Sequence, residues 1–119
     1  MPTLTPNVGI YAIGDVVLAE FSGDGHEQDG TRPAIVVGKV AAFNIATVIP
    51  LTSSIESKRF PLTVPIKKHT VNGLDQDSVA LVYQVTVMDG RFIKRKFGCL
   101  NPTELAEVKT LLKAHFLLT

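Results

Sequence analysis

Apolar positions in this chain fall into short runs separated by polar loops. Gly14 to Phe21 (GDVVLAEF) is apolar and β-branched, flanked by turn residues, which predicts a strand. Residues 22–31 form a long polar loop. Pro33 to Gly38 predicts a buried strand, with the proline at its first position, where a missing N–H is tolerated. Ala46 to Thr52 (ATVIPLT) predicts a further strand, with Pro50 marking an edge or bulge. Residues 53–60 (SSIESKRF) are a polar loop, and Pro61 to Ile66 a short strand. VNGLDQDS at 71–78 is a turn region. Val79 to Met88 and Arg91 to Phe97 then flank Asp89-Gly90, the pattern of a two-residue hairpin whose central residues take positive φ.

One segment has helical spacing. In LNPTELAEVKTLLKAHFLL, Asn101 is placed as N-cap, Pro102 at N1 and Glu104 at N3, a capping-box arrangement. Leu105, Val108, Leu112 and His115, with Leu111 and Phe116, form an apolar stripe. Five or six short strands and a terminal helix predict a mainly β (β-rich α+β) fold. The expected form is an SH3-like small barrel of antiparallel strands with a C-terminal α-helix. Residues 1–13 read as an N-terminal extension and 14–119 as one domain.

Composition narrows the function. A chain of 119 residues, 45% hydrophobic and 19% charged, is that of one globular domain and not of a disordered segment. Cys99, the one cysteine, can form neither an internal disulfide nor a cysteine-based zinc site. His26, His69 and His115 lack metal-ligand spacing, and no HExxH or phosphate-loop motif occurs. No metal and no cofactor are expected. The first thirteen residues lack the features of a signal peptide, and no apolar run reaches bilayer-spanning length. The expectation is a cytoplasmic protein with no membrane partner.

Net charge is +1, but it is unevenly spread. Residues 1–57 hold two basic side chains against six acids, and residues 58–119 hold ten against five. The basic clusters Lys58-Arg59, Lys67-Lys68 and Arg91 to Lys96 offer either an anion-binding patch or a solvated face. What remains is acid–base and electrostatic chemistry. Arg32 stands where a strand leaves the polar loop, a position from which a guanidinium can hold a phosphate bidentately. Thr52 ends the strand in PLTSS and offers a hydroxyl, while His26 and Glu27 could carry protons. The alternative is Arg32 as ion-pair partner of its own acidic loop.

Four blocks occur in an order that resembles the MazF/PemK family of toxin endoribonucleases from type II toxin–antitoxin modules. They are GDVVLAEF, GHEQDGTRPAIVV, IPLTSS and GLDQDSVALVYQVTVMD, and the resemblance covers most of residues 14–116. It implies a homodimer that cleaves single-stranded RNA without a metal. The ribose 2′-OH attacks the adjacent phosphorus and leaves 2′,3′-cyclic phosphate and 5′-OH ends. The family's loop arginine falls on Arg32 and its third-strand threonine on Thr52, with Ser53 beside it. Its loop acid falls on Glu27, and the histidine of some members on His26. Gln28, with Gly30 and Pro33, would shape the loop against the substrate. Lys58, Arg59 and Phe60 lie where the family reaches RNA, by phosphate contact and base stacking. Phe60 as a core anchor is the competing reading.

The sequence departs from the family at Tyr83, where many members carry an acid before the glutamine that here is Gln84. A phenol is a poor base at neutral pH. Proton transfer then falls to His26 and Glu27, with Tyr83 hydrogen-bonding or stacking on a base. The resemblance also implies a cognate antitoxin with an acidic disordered tail, and DNA contact only through the antitoxin complex. Two alternatives stay open: a non-enzymatic toxin or binding module of the same barrel, like the gyrase inhibitors, and a catalytically degenerate homologue.

Overall fold

Val16-Val17, Ala34-Ile35-Val36 and Val48-Ile49 do not alternate with polar residues because the strands carrying them are covered on both faces. In the computed structural model, which describes residues 7–21 and 30–116, the strands are β1 Asp15–Phe21, β2 Gly30–Val40, β3 Ile45–Thr52, β4 Thr63–Ile66, β5 Ser78–Leu81, β6 Thr86–Asp89 and β7 Ile93–Cys99. The helix α1 spans Pro102–His115. All pairings are antiparallel. The order is β4-β5-β3-β2-β1-β7, with β6 also on β3. The mainly β fold with a C-terminal helix is as expected from the sequence. The barrel is not closed by hydrogen bonds: among the described residues the end strands β4 and β7 do not pair, so the sheet is bent and open.

One face of the sheet packs Val16, Ile35, Ile49, Leu51, Val64 and Ile66 against Val108 of α1, with Leu105, Leu111 and Leu112 alongside. The other face packs Val17, Ala19, Ala34, Val36, Ala46 and Val48 under Ile93, Val8 and Tyr11. Val8 and Tyr11, from the segment read as an N-terminal extension, pack on this face. Val8 and Tyr11 are buried because the second face needs an apolar cover. Lys39 clips this segment down by donating from Nζ to the carbonyls of Gly9 and Tyr11. Asp15, also buried, accepts from the Ala12 N–H at 2.9 Å and pairs with Lys96 at 3.3 Å. Burial, and then the negative charge of Asp15, raise the Tyr11 phenol above its ordinary value.

The Asp89-Gly90 hairpin does not form. The run Val79 to Met88 is broken by a 3-10 turn at Val82–Gln84, and Gly90–Phe92 is another such turn. Asp89 is extended, at φ −68°, and its side chain accepts from the Arg91 N–H at 2.9 Å. It caps a turn instead of occupying a left-handed hairpin position. The two arms go to different places, β6 to β3 and β7 to β1. Gly90 is required by crowding: a Cβ there would lie 2.3 Å from Asn44 Oδ1. Pro50 sits where β3 changes partner along one edge, between Val48↔Thr86 on β6 and Leu51↔Ala80 on β5. Pro33 is the fourth residue of β2, not the first, and pairs with Leu18 of β1.

The helix begins as the sequence indicates. Asn101 Oδ1 accepts from the Glu104 N–H at 2.8 Å, and Glu104 Oε1 accepts from the Asn101 N–H at 2.9 Å. Glu104 also reaches the His69 ring at 3.1 Å, fastening the helix start to the loop between β4 and β5.

Candidate active site

Strand register brings two of the sequence-derived candidates together. The last β2–β3 pair toward the polar loop is Ala34↔Pro50. Arg32 and Thr52 each lie two residues beyond that pair on their own strands, so each shares a face with the Ala34 or Pro50 of its strand because strand side chains alternate. Arg32 and Thr52 both line a cleft of about 320 Å³. Ser53 lies on its rim. The Thr52 Oγ1 accepts from the Ser54 N–H at 3.2 Å. That bond uses an oxygen lone pair and leaves the hydroxyl proton available to a ligand.

A second wall of the cleft was not foreseen as part of a site. It consists of Gly73, Leu74, Asp75, Gln76 and Ser78 with Phe97 of β7. A fully buried asparagine holds this wall in shape. Asn72 Oδ1 accepts from the N–H groups of His69, at 3.1 Å, and Leu74, at 3.0 Å. Its Nδ2 donates to the Lys67 carbonyl at 2.9 Å. Asn72 N–H in turn donates to His69 Nδ1 at 3.1 Å, so the neutral ring carries its proton on Nε2, toward Glu104. Gly73 has φ +69°, and a Cβ there would meet the Phe97 carbonyl oxygen at 2.3 Å. The sequence signal for this wall was the Asn72-Gly73 pair in the turn region VNGLDQDS.

Other candidates stand apart from the cleft. Lys58 and Arg59 lie on the exposed 3-10 turn Ile55–Arg59, and Phe60 follows it. Phe60 is 45% exposed, so it is not a core anchor. The Arg59 guanidinium lies 5.2 Å from its ring centroid. Tyr83 and Gln84 occupy the turn after β5, with Tyr83 exposed and Gln84 half-buried. Neither lines the cleft. His26, Glu27 and Gln28 lie outside the described residues. Among the described residues, no three His, Cys, Asp or Glu side chains group as metal ligands would. No helix there is long and apolar enough to cross a membrane.

Among the described residues, an antiparallel sheet with one terminal helix carries a cleft lined by an arginine and a threonine. Residues 12–116 match the family described as PemK-like, MazF-like toxin of type II toxin-antitoxin system. A curated relative, Endoribonuclease MazF of Staphylococcus epidermidis, is 34% identical over 103 residues, covering 83% of this chain and 85% of its own. The crystal structure of MazF from Deinococcus radiodurans superposes with a TM-score of 0.72 at 27% identity, covering 98% of this chain and 100% of that one. A MazE-MazF structure from the same organism has a TM-score of 0.66 at 25% identity, covering 96% and 97%. The chain belongs to the PemK/MazF family of toxins from type II toxin–antitoxin systems.

Proposed function

We propose that this protein is a toxin endoribonuclease that cuts single-stranded RNA without a metal. The observation that carries the reading is the meeting of Arg32 and Thr52 in one cleft. The ribose 2′-oxygen forms a bond to the adjacent phosphorus, and the bond from phosphorus to the leaving 5′-oxygen breaks. Arg32 holds the non-bridging oxygens and stabilises the charge that accumulates on the phosphorane. Thr52 donates its hydroxyl proton to one of the same oxygens. His26 and Glu27, on the loop preceding Arg32, take the proton from the 2′-OH and return one to the 5′-oxygen. Gln28 and Ser53 position the strand. Lys58, Arg59 and Phe60 give the RNA a basic and aromatic track, and Tyr83 with Gln84 extends it.

The family and the MazE-MazF neighbour support a further reading. The protein works as a homodimer in the cytoplasm and is silenced by an antitoxin whose acidic tail folds on binding. Purified protein in EDTA should cut single-stranded RNA and leave 2′,3′-cyclic phosphate ends. A folded Arg32→Ala protein should not cut. Equal cutting by that variant refutes the site assignment. A folded wild-type protein that cuts no RNA would instead make this a non-enzymatic toxin.

A further inference from the structure

The loop that forms the second cleft wall uses its polar residues unequally. Asn72 is spent on three backbone groups. Asp77 Oδ1 accepts from the Lys68 N–H at 2.9 Å, and the Ser78 hydroxyl donates to the Gln76 carbonyl at 3.0 Å. These three build the loop. Asp75 and Gln76 do not: both are exposed and both line the same cleft as Arg32 and Thr52. Among the described residues, neither side chain takes part in a hydrogen bond or ion pair.

A carboxylate facing an RNA cleft is unfavourable toward phosphates unless the ligand supplies hydrogen-bond donors. Single-stranded RNA can do so through the Watson–Crick edges of unstacked bases. Among the four bases, only guanine places two donors side by side on that edge, N1–H and N2–H, with an acceptor, O6, next to them. A carboxylate accepts both donors at once. A neighbouring amide N–H can serve the acceptor. The cleft volume of about 320 Å³ is enough for a base beside the phosphate held by Arg32.

We propose that Asp75 and Gln76 form a nucleobase subsite beside the scissile phosphate, and that the subsite selects guanine. Asp75 takes the N1–H and N2–H donors, and Gln76 donates to O6. The proposal rests on the ribonuclease reading for its location next to the cut, and its test is built to fail separately. Short RNAs carrying each of the four bases at each position flanking the cut are cleaved in competition. Wild-type protein should favour guanine at one position by about tenfold or more, the size of one bidentate base contact. Asp75→Asn, which changes an exposed side chain and keeps its shape, should bring that ratio close to one while the melting temperature stays unchanged. Equal cleavage of all four bases at every position overturns the subsite and leaves the nuclease intact. So does an unaltered guanine preference in Asp75→Asn. If wild-type protein cuts nothing, fluorescence anisotropy decides with five-residue oligoribonucleotides carrying one guanine, adenine, cytosine or uracil. Tighter binding of the guanine oligonucleotide, lost in Asp75→Asn, upholds the subsite, and equal binding overturns it.

Discussion

Replacing Asn72 by alanine tests whether a buried amide is what shapes the cleft. Asn72 is 0% exposed, and its side chain satisfies two N–H groups and one carbonyl. Truncation leaves the Leu74 N–H without its acceptor at a buried position, which costs about 1–3 kcal/mol. The His69 N–H and Lys67 carbonyl are only part-buried and can recruit water, so each loses about 0.5–1.5 kcal/mol. The expected loss is about 3 kcal/mol, or roughly 10–15 °C in Tm for a domain of this length. Thermal unfolding followed by circular dichroism reads it directly. Asn72→Asp keeps both acceptor bonds but loses the donor and buries a charge, so it should also destabilise. Because the wall from Gly73 to Ser78 is built on this amide, Asn72→Ala should also lower RNA cleavage at temperatures where the protein remains folded. A Tm within about 2 °C of wild type would refute the reasoning, since the three bonds would then carry no net stability.

Three further outcomes follow from the same geometry. Thr52→Val should lower the cleavage rate by about a hundredfold or more, as loss of one donor to a developing oxyanion does, with an unchanged circular dichroism spectrum. Gly73→Ala should destabilise by about 1 kcal/mol or more, because the left-handed backbone and the Phe97 carbonyl both oppose a Cβ, and urea unfolding measures it. The third outcome concerns alkaline pH. The Tyr11 phenol is raised by burial and by Asp15, so the folded state holds its proton more tightly than the unfolded chain. That contribution is intact below the unfolded value near 10 and is lost as pH climbs through the folded value. Tyr11→Phe should therefore flatten the fall of stability above about pH 10, measured as Tm against pH.

The strands and helix were legible because their signals are local. GDVVLAEF and ATVIPLT are β-branched runs, and Asn101 with Glu104 forms the capping box that the spacing announced. Pairing was less legible. Asp89-Gly90 satisfies a hairpin rule, but Asn44 and Val8 pack against Gly90, and each arm finds a better partner elsewhere in the sheet. The burial of Val8 and Tyr11 was also hidden, because nothing local reveals that a distant sheet has a second apolar face to cover. Within the site, Arg32 and Thr52 could be named from the sequence because each lies near the end of a recognisable strand and falls in a block that resembles the family. Asp75, Gln76 and Phe97 could not be. Their wall depends on an asparagine folded inward, and turn composition does not distinguish an inward asparagine from one in water.

The cleft draws on widely separated parts of the chain, from Arg32 through Thr52 and Gln76 to Phe97. A ribosome releases the chain from the N-terminus onward. The arginine and the threonine therefore emerge long before the loop and the β7 residue that complete the cleft around them. β3 also lacks both of its later partners, β5 and β6, until residues beyond Leu81 and Asp89 are out. The working end of a growing chain is thus incomplete until Phe97 has emerged and folded against the residues that preceded it.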